Sequence, residues 1–482
     1  MNFKIIKYNI GFLLKIEGIL MIIPIICGII YRENATMVFI LCSFFTFLIG
    51  SFFSMYKPKN QSFYLAESFI TVSFGWIFLS IFGAIPFVAS GEIPHFIDAL
   101  FETISGFTTT GATIVDNVEI MSRCVLLWRS FTHFVGGMGV LVLMLAIIPT
   151  QSNNMLIMKA ESPGPEVGRI LPHVKDTAKI LYIIYVFLTV LAIISYIISG
   201  MPIFDSICIG LGTAGTGGFS VLNDSCASYS HFSQTLISIF MLMFGVNFNI
   251  YYLLLIRKYD NALKSEEFRA YIIIVVFSIL SITINAFSKL SHIFNLNECF
   301  HNALFSVSSV MTTTGYSIFD ITMFPTESRF ILLMLMFIGG CAGSTAGGIK
   351  VARILLATKE AKNEINCQIR PNSLRYIKYD GKKVSENTIS TMNAFLIVYM
   401  CIFIISVFLI SFENYDFETT ISSVAETLNN IGVGLGEIGP KNNFNIFHYP
   451  SKILFMFLML VGRLEVYPIV VLFSKKAWKR EI

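Results

Sequence analysis

Charge is what this chain has least of. Only 13% of its 482 residues are Asp, Glu, Lys or Arg, whereas 55% are hydrophobic and the mean hydropathy is +0.72. That balance excludes an ordinary soluble domain, which carries about 25% charged residues. The net charge is a modest +4, so no nucleic-acid partner is suggested. Also missing are the constellations that carry covalent chemistry: no paired carboxylates, no nucleophile beside a base, and no phosphate loop of the G-x-x-x-x-G-K type. Nothing suggests an enzyme. The nine cysteines, among them Cys27, Cys42, Cys124, Cys208, Cys341 and Cys401, include no CxxC pair and no histidine at metal-ligating spacing. They read as small buried hydrophobes, without a transition-metal site. No small-residue cleavage site follows the apolar segment from Met1 to Tyr31, which is expected to stay as helix.

What is present is apolar length. A helix needs about 20 apolar residues to cross the hydrocarbon core, and ten stretches qualify: 10–31, 36–56, 65–90, 124–149, 178–199, 232–256, 270–290, 329–357, 391–412 and 452–474. Four shorter apolar pieces lie between them, Phe96 to Phe107, Ile203 to Leu211, Cys299 to Met311 and Phe417 to Leu428. Each is too short to span and reads as a re-entrant half-helix. The expected fold is an all-α polytopic membrane protein with four pseudo-symmetric repeats of span, half-helix, glycine loop and span around a central pore. Two extra N-terminal helices precede them. The repeats are placed at 61–150, 151–260, 261–360 and 361–482, after an N-terminal extension at 1–60.

Each half-helix ends in a glycine loop: Thr108-Thr109-Thr110-Gly111, Gly215-Thr216-Gly217-Gly218, Thr312-Thr313-Thr314-Gly315 and Asn429-Asn430-Ile431-Gly432. One such loop by itself is a tight turn or a glycine-mediated helix contact. Four at the same place in a repeat point elsewhere. Irregular backbone at membrane depth must be buried in protein or line a water-filled path. Glycine reaches backbone angles that turn successive carbonyls toward an axis, where they replace an ion's hydration shell. The preceding threonines can add hydroxyl oxygens. The half-helix C-terminal ends, each carrying about half a negative charge, favour a cation.

Basic residues set the orientation. Lys4, Lys7, Lys57, Lys59, Lys159, Arg169, Lys175, Lys179, Arg257, Lys258, Lys264, Arg269, the linker from Lys359 to Lys383 and the tail at Lys475, Lys476, Lys479 and Arg480 all fall on one side, read as cytoplasmic together with both termini. The glycine-loop side is acidic, with Glu92, Asp98, Glu102, Asp116, Glu119, Asp205, Asp224, Glu298, Asp320, Glu413, Asp416 and Glu418. Those acids either form a cation-concentrating vestibule or are solvated loop ends.

The chain resembles the Trk/Ktr/HKT superfamily of potassium transporters, and within it the Trk-type integral membrane subunit. The resemblance is carried by Phe101-Glu102-Thr103-Ile104-Ser105-Gly106-Phe107-Thr108-Thr109-Thr110-Gly111-Ala112, Trp128-Arg129-Ser130 with Gly136-Gly137-Met138-Gly139, Glu161-Ser162-Pro163-Gly164-Pro165, Thr216-Gly217-Gly218-Phe219-Ser220 and Leu428-Asn429-Asn430-Ile431-Gly432. It implies K+ uptake across a bacterial inner membrane through a filter with one glycine per repeat, at Gly111, Gly217, Gly315 and Gly432. The filter stretches become 108–112, 215–218, 312–316 and 429–434, with Thr109, Thr110, Gly215, Thr216, Thr313, Thr314, Asn430 and Ile431 beside the glycines and K+ as the bound ion. It further implies a homodimer and a cytosolic TrkA-like nucleotide-binding subunit, for which the basic loops 151–178 and 358–388 are the natural dock; those charges are otherwise topology signals. Two departures, the glycine-rich Ala214-Gly215-Thr216 and Val433 where proline is common, can soften K+ over Na+ selectivity. A Na+-permeable or cation-coupled symporter of the same fold is the alternative, and an organic-solute transporter the distant one.

The stretch 339–348, with Gly340, Gly343, Ser344, Thr345, Gly347 and Gly348, crowds glycine into the middle of the eighth span. It either permits close helix packing or breaks the helix below the filter; the resemblance implies an intramembrane gating loop. Lys350 at its end either touches the conduction path or snorkels to the interface. Arg463, a mid-span charge, is expected to find the carbonyls of 340–348, and by resemblance to help hold that gate. Arg129 and His133 are expected to anchor at the outer interface beside Trp128.

Overall fold

Hydrocarbon offers no water to backbone N–H and C=O groups, so a spanning chain of this composition must bond internally as helix. The computed structural model describes residues 3–56, 58, 65–139, 174–370, 376–439 and 442–478. Helix dominates them, with one two-stranded hairpin, β1 (Lys378–Tyr379) and β2 (Lys382–Lys383). The expected fourth span beyond Gly139, the motif Glu161 to Pro165, most of loop 151–178 and the charges Lys57, Lys59, Lys159, Arg169, Arg375, Lys479 and Arg480 lie outside the described residues.

Two N-terminal crossings come first: α1 (Phe3–Leu20) with α2 (Ile22–Tyr31), then α3 (Ala35–Phe53). They meet through glycine: a Cβ on Gly50 would lie 2.7 Å from the Gly11 carbonyl oxygen, so only the bare backbone allows this approach. Then the same succession occurs four times. The long helices are α4 (Leu65–Ala89), α7 (Val174–Ile198), α12 (Glu266–Leu290) and α16 (Glu386–Ile410), and each is followed by a half-helix, respectively α5 (Phe96–Phe107), α8 (Ile203–Gly215), α13 (Leu296–Met311) and α17 (Phe417–Asn429). At 1.5 Å per residue the half-helices reach about 18–24 Å, short of the roughly 30 Å core. The long helices turn bulky apolar side chains outward, for instance Ile273, Phe277, Ile284, Ile404 and Phe408. The half-helices are buried toward the centre.

The fourth element of each succession departs from the expected continuous spans. Among the described residues, six crossings are long single helices or nearly so, and the helices that follow the four loops are shorter. α6 (Arg123–Gly137) ends at glycine; α9 (His231–Phe244) and α10 (Phe248–Leu255) meet at 90°, the short α11 (Tyr259–Lys264) following; α14 (Thr326–Ile338) and α15 (Val351–Ile369) are separated by the glycine stretch; and α18 (Tyr449–Arg463) breaks before α19 (Tyr467–Leu472). Only the third of these breaks was expected. The others depend on bonds from neighbouring segments that no local pattern contains. At the 90° bend, Gly245 O accepts from the Cys341 N–H at 2.9 Å, and the Phe248 N–H donates to Gly343 O at 3.0 Å. At the last break, Glu465 and Val466 take φ values of 53° and 70°, and Glu465 is bound by Arg353.

Two pairs of charges at membrane depth offset each other's desolvation. Arg129 meets Glu102 at 2.6 Å and Lys452 meets Asp98 at 2.8 Å. The N-terminus of α6 takes a carboxylate from the N-terminal pair, Glu33 accepting from the Arg123 and Cys124 N–H groups at 2.7 and 2.9 Å. Outside the spans, burial pushes the nearby Glu92 carboxyl up, the hydroxyl and N–H of Ser122 opposing it.

Candidate ion-conduction site

The four half-helices converge on four loops with one backbone design. Just past each helix, one or two residues on, a residue sits in the left-handed region: Thr109, Thr216, Thr313 and Asn430, at φ 58°, 54°, 54° and 55°. The N–H of the following residue closes back on the helix five residues earlier, Thr110 to Ser105 O at 2.9 Å, Gly217 to Gly212 O at 2.9 Å, Thr314 to Ser309 O at 2.8 Å and Ile431 to Glu426 O at 2.9 Å. Then comes a glycine, at φ 82°, 82° and 86° for Gly111, Gly218 and Gly315, and Gly432 in the last loop. A left-handed threonine is a costly conformation for a β-branched residue, held only where the surroundings over-determine it.

This register corrects one expectation. The residue equivalent to Gly111 and Gly315 in the second loop is Gly218; Gly217 occupies the place of Thr110 and Thr314. The run Gly215-Thr216-Gly217-Gly218 offers three glycines and no local way to choose between them.

The loops close into a ring in chain order. A Cβ on Gly111 would collide with the Gly217 carbonyl, one on Gly218 with the Thr314 carbonyl, one on Gly315 would lie 2.5 Å from the Gly432 N and Cα, and one on Gly432 would lie 3.1 Å from the Thr110 carbonyl oxygen. Each glycine thus backs onto the next loop's main chain, and all four line a cavity of about 110 Å³ on the side to which the chain returns. The threonine hydroxyls do other work than expected. Thr110 Oγ1 bonds Thr108 Oγ1 at 2.8 Å and Thr314 Oγ1 bonds Thr312 Oγ1 at 2.7 Å, while Thr108 and Thr312 donate to Ile104 O and Ser308 O at 2.6 Å. They tie the loops to their own half-helices.

Arg129 and His133 are 2% and 0% exposed, which contradicts interfacial anchoring. Arg129 Nε donates to Glu102 at 2.8 Å and its guanidinium stacks 4.1 Å from the Phe219 ring. Glu102 also accepts from Thr113 Oγ1 and the Ile114 N–H, so the strand leaving the first loop is held by the same carboxylate. His133 Nδ1 reaches Gly106 O at 2.8 Å while its Nε2 accepts from the Phe219 N–H at 3.2 Å, joining the first half-helix to the second loop. Tyr316 OH donates to Ile209 O and Phe219 O at 3.2 and 3.3 Å, joining the third loop to the second.

Beneath the ring lies the non-helical stretch from Gly339 to Lys350. Its N–H groups are satisfied from four directions: Cys341 to Gly245 O, Ala342 to Glu267 Oε1 at 2.6 Å, Gly347 to the Thr313 hydroxyl at 2.6 Å, and Ile349 and Lys350 to Phe337 O and Ile338 O at the end of α14, both at 3.0 Å. Gly347 also packs against the Asn429 carbonyl. The stretch therefore touches the ring itself, at the left-handed Thr313. Gly339, Gly343 and Gly348 have positive φ. Lys350 is buried and folds its ammonium back onto the Ala346 carbonyl rather than snorkelling. Arg463 donates to Thr345 O at 3.0 Å and to Gly137 O at 2.6 Å, bridging this stretch to the end of α6.

The sequence matches the TrkH family, described as a cation transport protein, over residues 35–480. The chain belongs to the TrkH family of cation transporters. It is 33% identical to the Trk system potassium uptake protein TrkG of Escherichia coli over 485 residues, covering 99% of each chain. It is 34% identical to the Trk system potassium uptake protein TrkH of the same organism over 491 residues, covering 99% and 100%. The crystal structure of the potassium transporter TrkH from Vibrio parahaemolyticus matches with a TM-score of 0.90 at 29% identity, covering 99% of this chain and 100% of that one. Membership places this chain among transporters and not among enzymes. Against that background, the residues of this TrkH-family chain that the sequence did not point to are Tyr316 and Glu267, while Gly218 and Glu102 stood in the expected filter stretch and among the expected vestibule acids without the roles found here. A histidine and an arginine four residues apart inside an apolar run were the one visible signal of a polar brace.

Proposed function

We propose that this chain is the K+-translocating subunit of a Trk-type uptake system, conducting K+ through the ring formed by Thr109 to Gly111, Thr216 to Gly218, Thr313 to Gly315 and Asn430 to Gly432. The carrying observation is the closed ring of four equivalent turns, each at the C-terminal end of a half-helix whose dipole favours a cation. The stretch 339–348, with Lys350 and Arg463, acts as a gate beneath it: it is held by a few hydrogen bonds and rich in glycine, so it can move aside without unfolding a helix. The repeats bounded at 61–150, 151–260, 261–360 and 361–482 are its units. Both termini and the basic loops face the cytoplasm of a bacterial inner membrane, where a TrkA-like nucleotide-binding subunit docks and controls the gate, and two copies form a homodimer.

One observation favours relaxed selectivity as a second reading. Gly217 stands where the first and third loops carry Thr110 and Thr314, so the second loop lacks the hydroxyl pair that ties those loops to their half-helices. The test for both is 86Rb+ uptake into proteoliposomes holding the purified chain, with K+, Na+ and Li+ as competitors. Block by K+ and weak block by Na+ supports the K+ filter. Equal block supports the relaxed ring, and uptake indifferent to all three refutes conduction through the ring.

A further inference from the structure

Among the described residues, three charged side chains line the cavity above the ring: Arg129, Asp116 and Glu426. Two of them are answered by protein. Arg129 is neutralised by Glu102, and Asp116 accepts from the amides of Asn443 at 2.8 Å and Asn445 at 3.4 Å. Glu426 is different. It is 1% exposed, and its Oε2 has no hydrogen-bond donor among the described residues. The lysine and arginine that approach the other half-helix acids are committed elsewhere, Lys452 to Asp98 and Arg329 to Glu418.

The position is as telling as the missing donor. Glu426 supplies the backbone carbonyl that closes the fourth turn, so its equivalents in the other half-helices are Ser105, Gly212 and Ser309. Three small neutral residues and one carboxylate therefore stand at one level just behind the ring. The carboxylate lies against the chain leaving it: a Cβ on Gly434 would come within 2.6 Å of Glu426 Oε2. A buried carboxylate without a partner is strongly disfavoured, and in a poorly screened cavity its charge acts on a cation far more strongly than in water.

We propose that Glu426 is a cation ligand of the ring's mouth, holding a partly dehydrated monovalent cation in the cavity next to Gly111, Gly218, Gly315 and Gly432. This rests on reading the ring as the ion path. The site makes the fourth repeat the charged member of an otherwise neutral ring and raises the occupancy of the cavity at low external cation.

The test is the Rb+ concentration dependence of uptake in proteoliposomes for the wild type, Glu426→Gln and Glu426→Asp, each shown monodisperse before reconstitution. The glutamine variant is expected to raise the half-saturating Rb+ concentration by about tenfold, the order expected when one nearby charge is removed from a partly desolvated site. The aspartate variant, which keeps the charge one methylene further back, is expected to fall between. A glutamine variant within twofold of a wild type that is blocked by K+ overturns the Glu426 site and leaves the ring reading standing. A wild type indifferent to competing cations overturns both. Where the glutamine variant does not fold, the aspartate variant decides: half-saturation equal to the wild type overturns the site.

Discussion

Gly217 and Gly218 separate a reading by sequence from a reading by backbone, and alanine at each position tests which is right. At Gly218 the residue sits at φ 82° and a Cβ would overlap the Thr314 carbonyl, with Gly315 C at 3.2 Å. Holding alanine left-handed costs about 1–2 kcal/mol, and relieving the overlap requires the third loop's carbonyl to move by roughly 1 Å, out of an optimal van der Waals contact. At Gly217 the φ is ordinary, and a Cβ would strike the imidazole of His133, a side chain and not the ring. Selectivity is a difference of binding free energies, tenfold for each 1.4 kcal/mol or so. Gly218→Ala is therefore expected to lower the K+ over Na+ preference about tenfold, measured as the ratio of competitor concentrations that halve 86Rb+ uptake. Gly217→Ala acts through His133, so in a His133→Ala background it adds little, whereas Gly218→Ala adds its full effect, as independent sites do. Wild-type preference in Gly218→Ala, with loss in Gly217→Ala even when His133 is cut back, would refute the equivalence of Gly218 with Gly111 and Gly315.

Other outcomes follow from the same contacts. Arg463→Gln removes a charge-assisted bond to Thr345 O, worth about 2 kcal/mol; if 339–348 is a gate, Rb+ flux per protein rises up to about thirtyfold, and unchanged flux in a monodisperse variant counts against it. Thr313→Ala removes the hydroxyl that accepts from Gly347 while leaving the ring's main chain, so flux is expected to rise with the K+/Na+ ratio unaltered; a changed ratio at constant flux would place that hydroxyl in the ion path instead. Glu102→Gln strands the buried Arg129 and is expected to cost about 3–5 kcal/mol, seen as a lower apparent melting temperature in detergent. Pairing it with Arg129→Met should recover part of the loss, and no difference between single and double variants would show that the pair contributes nothing beyond its parts.

Much of this architecture was legible because hydropathy and length act locally. The half-helices at Phe96–Phe107 and Phe417–Asn429 fall within a residue of the stretches read from apolar length, and the break at 339–350 follows glycine density. The second half-helix runs on to Gly215, four residues past the apolar run, since its last turn is packed by Gly137 and His133 of α6 rather than by its own hydrophobicity. The 90° bend at Gly245 escaped notice for a related reason: a single glycine in an apolar run is compatible with continuous helix until Cys341 and Gly343 of another segment take over its hydrogen bonds. Arg129 was misplaced because its partner, Glu102, lies 27 residues earlier on a different helix.

What the sequence determined by itself is the class of environment and the count of repeats: scarce charge, apolar runs of spanning length, and four glycine loops after four half-spans admit few folds, because each unmet backbone bond in hydrocarbon costs several kcal/mol. What only the tertiary structure decided is which atoms meet. The register that puts Gly218 and not Gly217 on the ring, the Thr313 hydroxyl that accepts from Gly347 and the Arg463 bridge to Thr345 and Gly137 all join residues far apart in the chain, and Glu426 Oε2 stands at the ring's mouth with no donor among the described residues. Those contacts form where the four repeats close around an axis, and closure is a property of the whole chain that no window of its sequence contains.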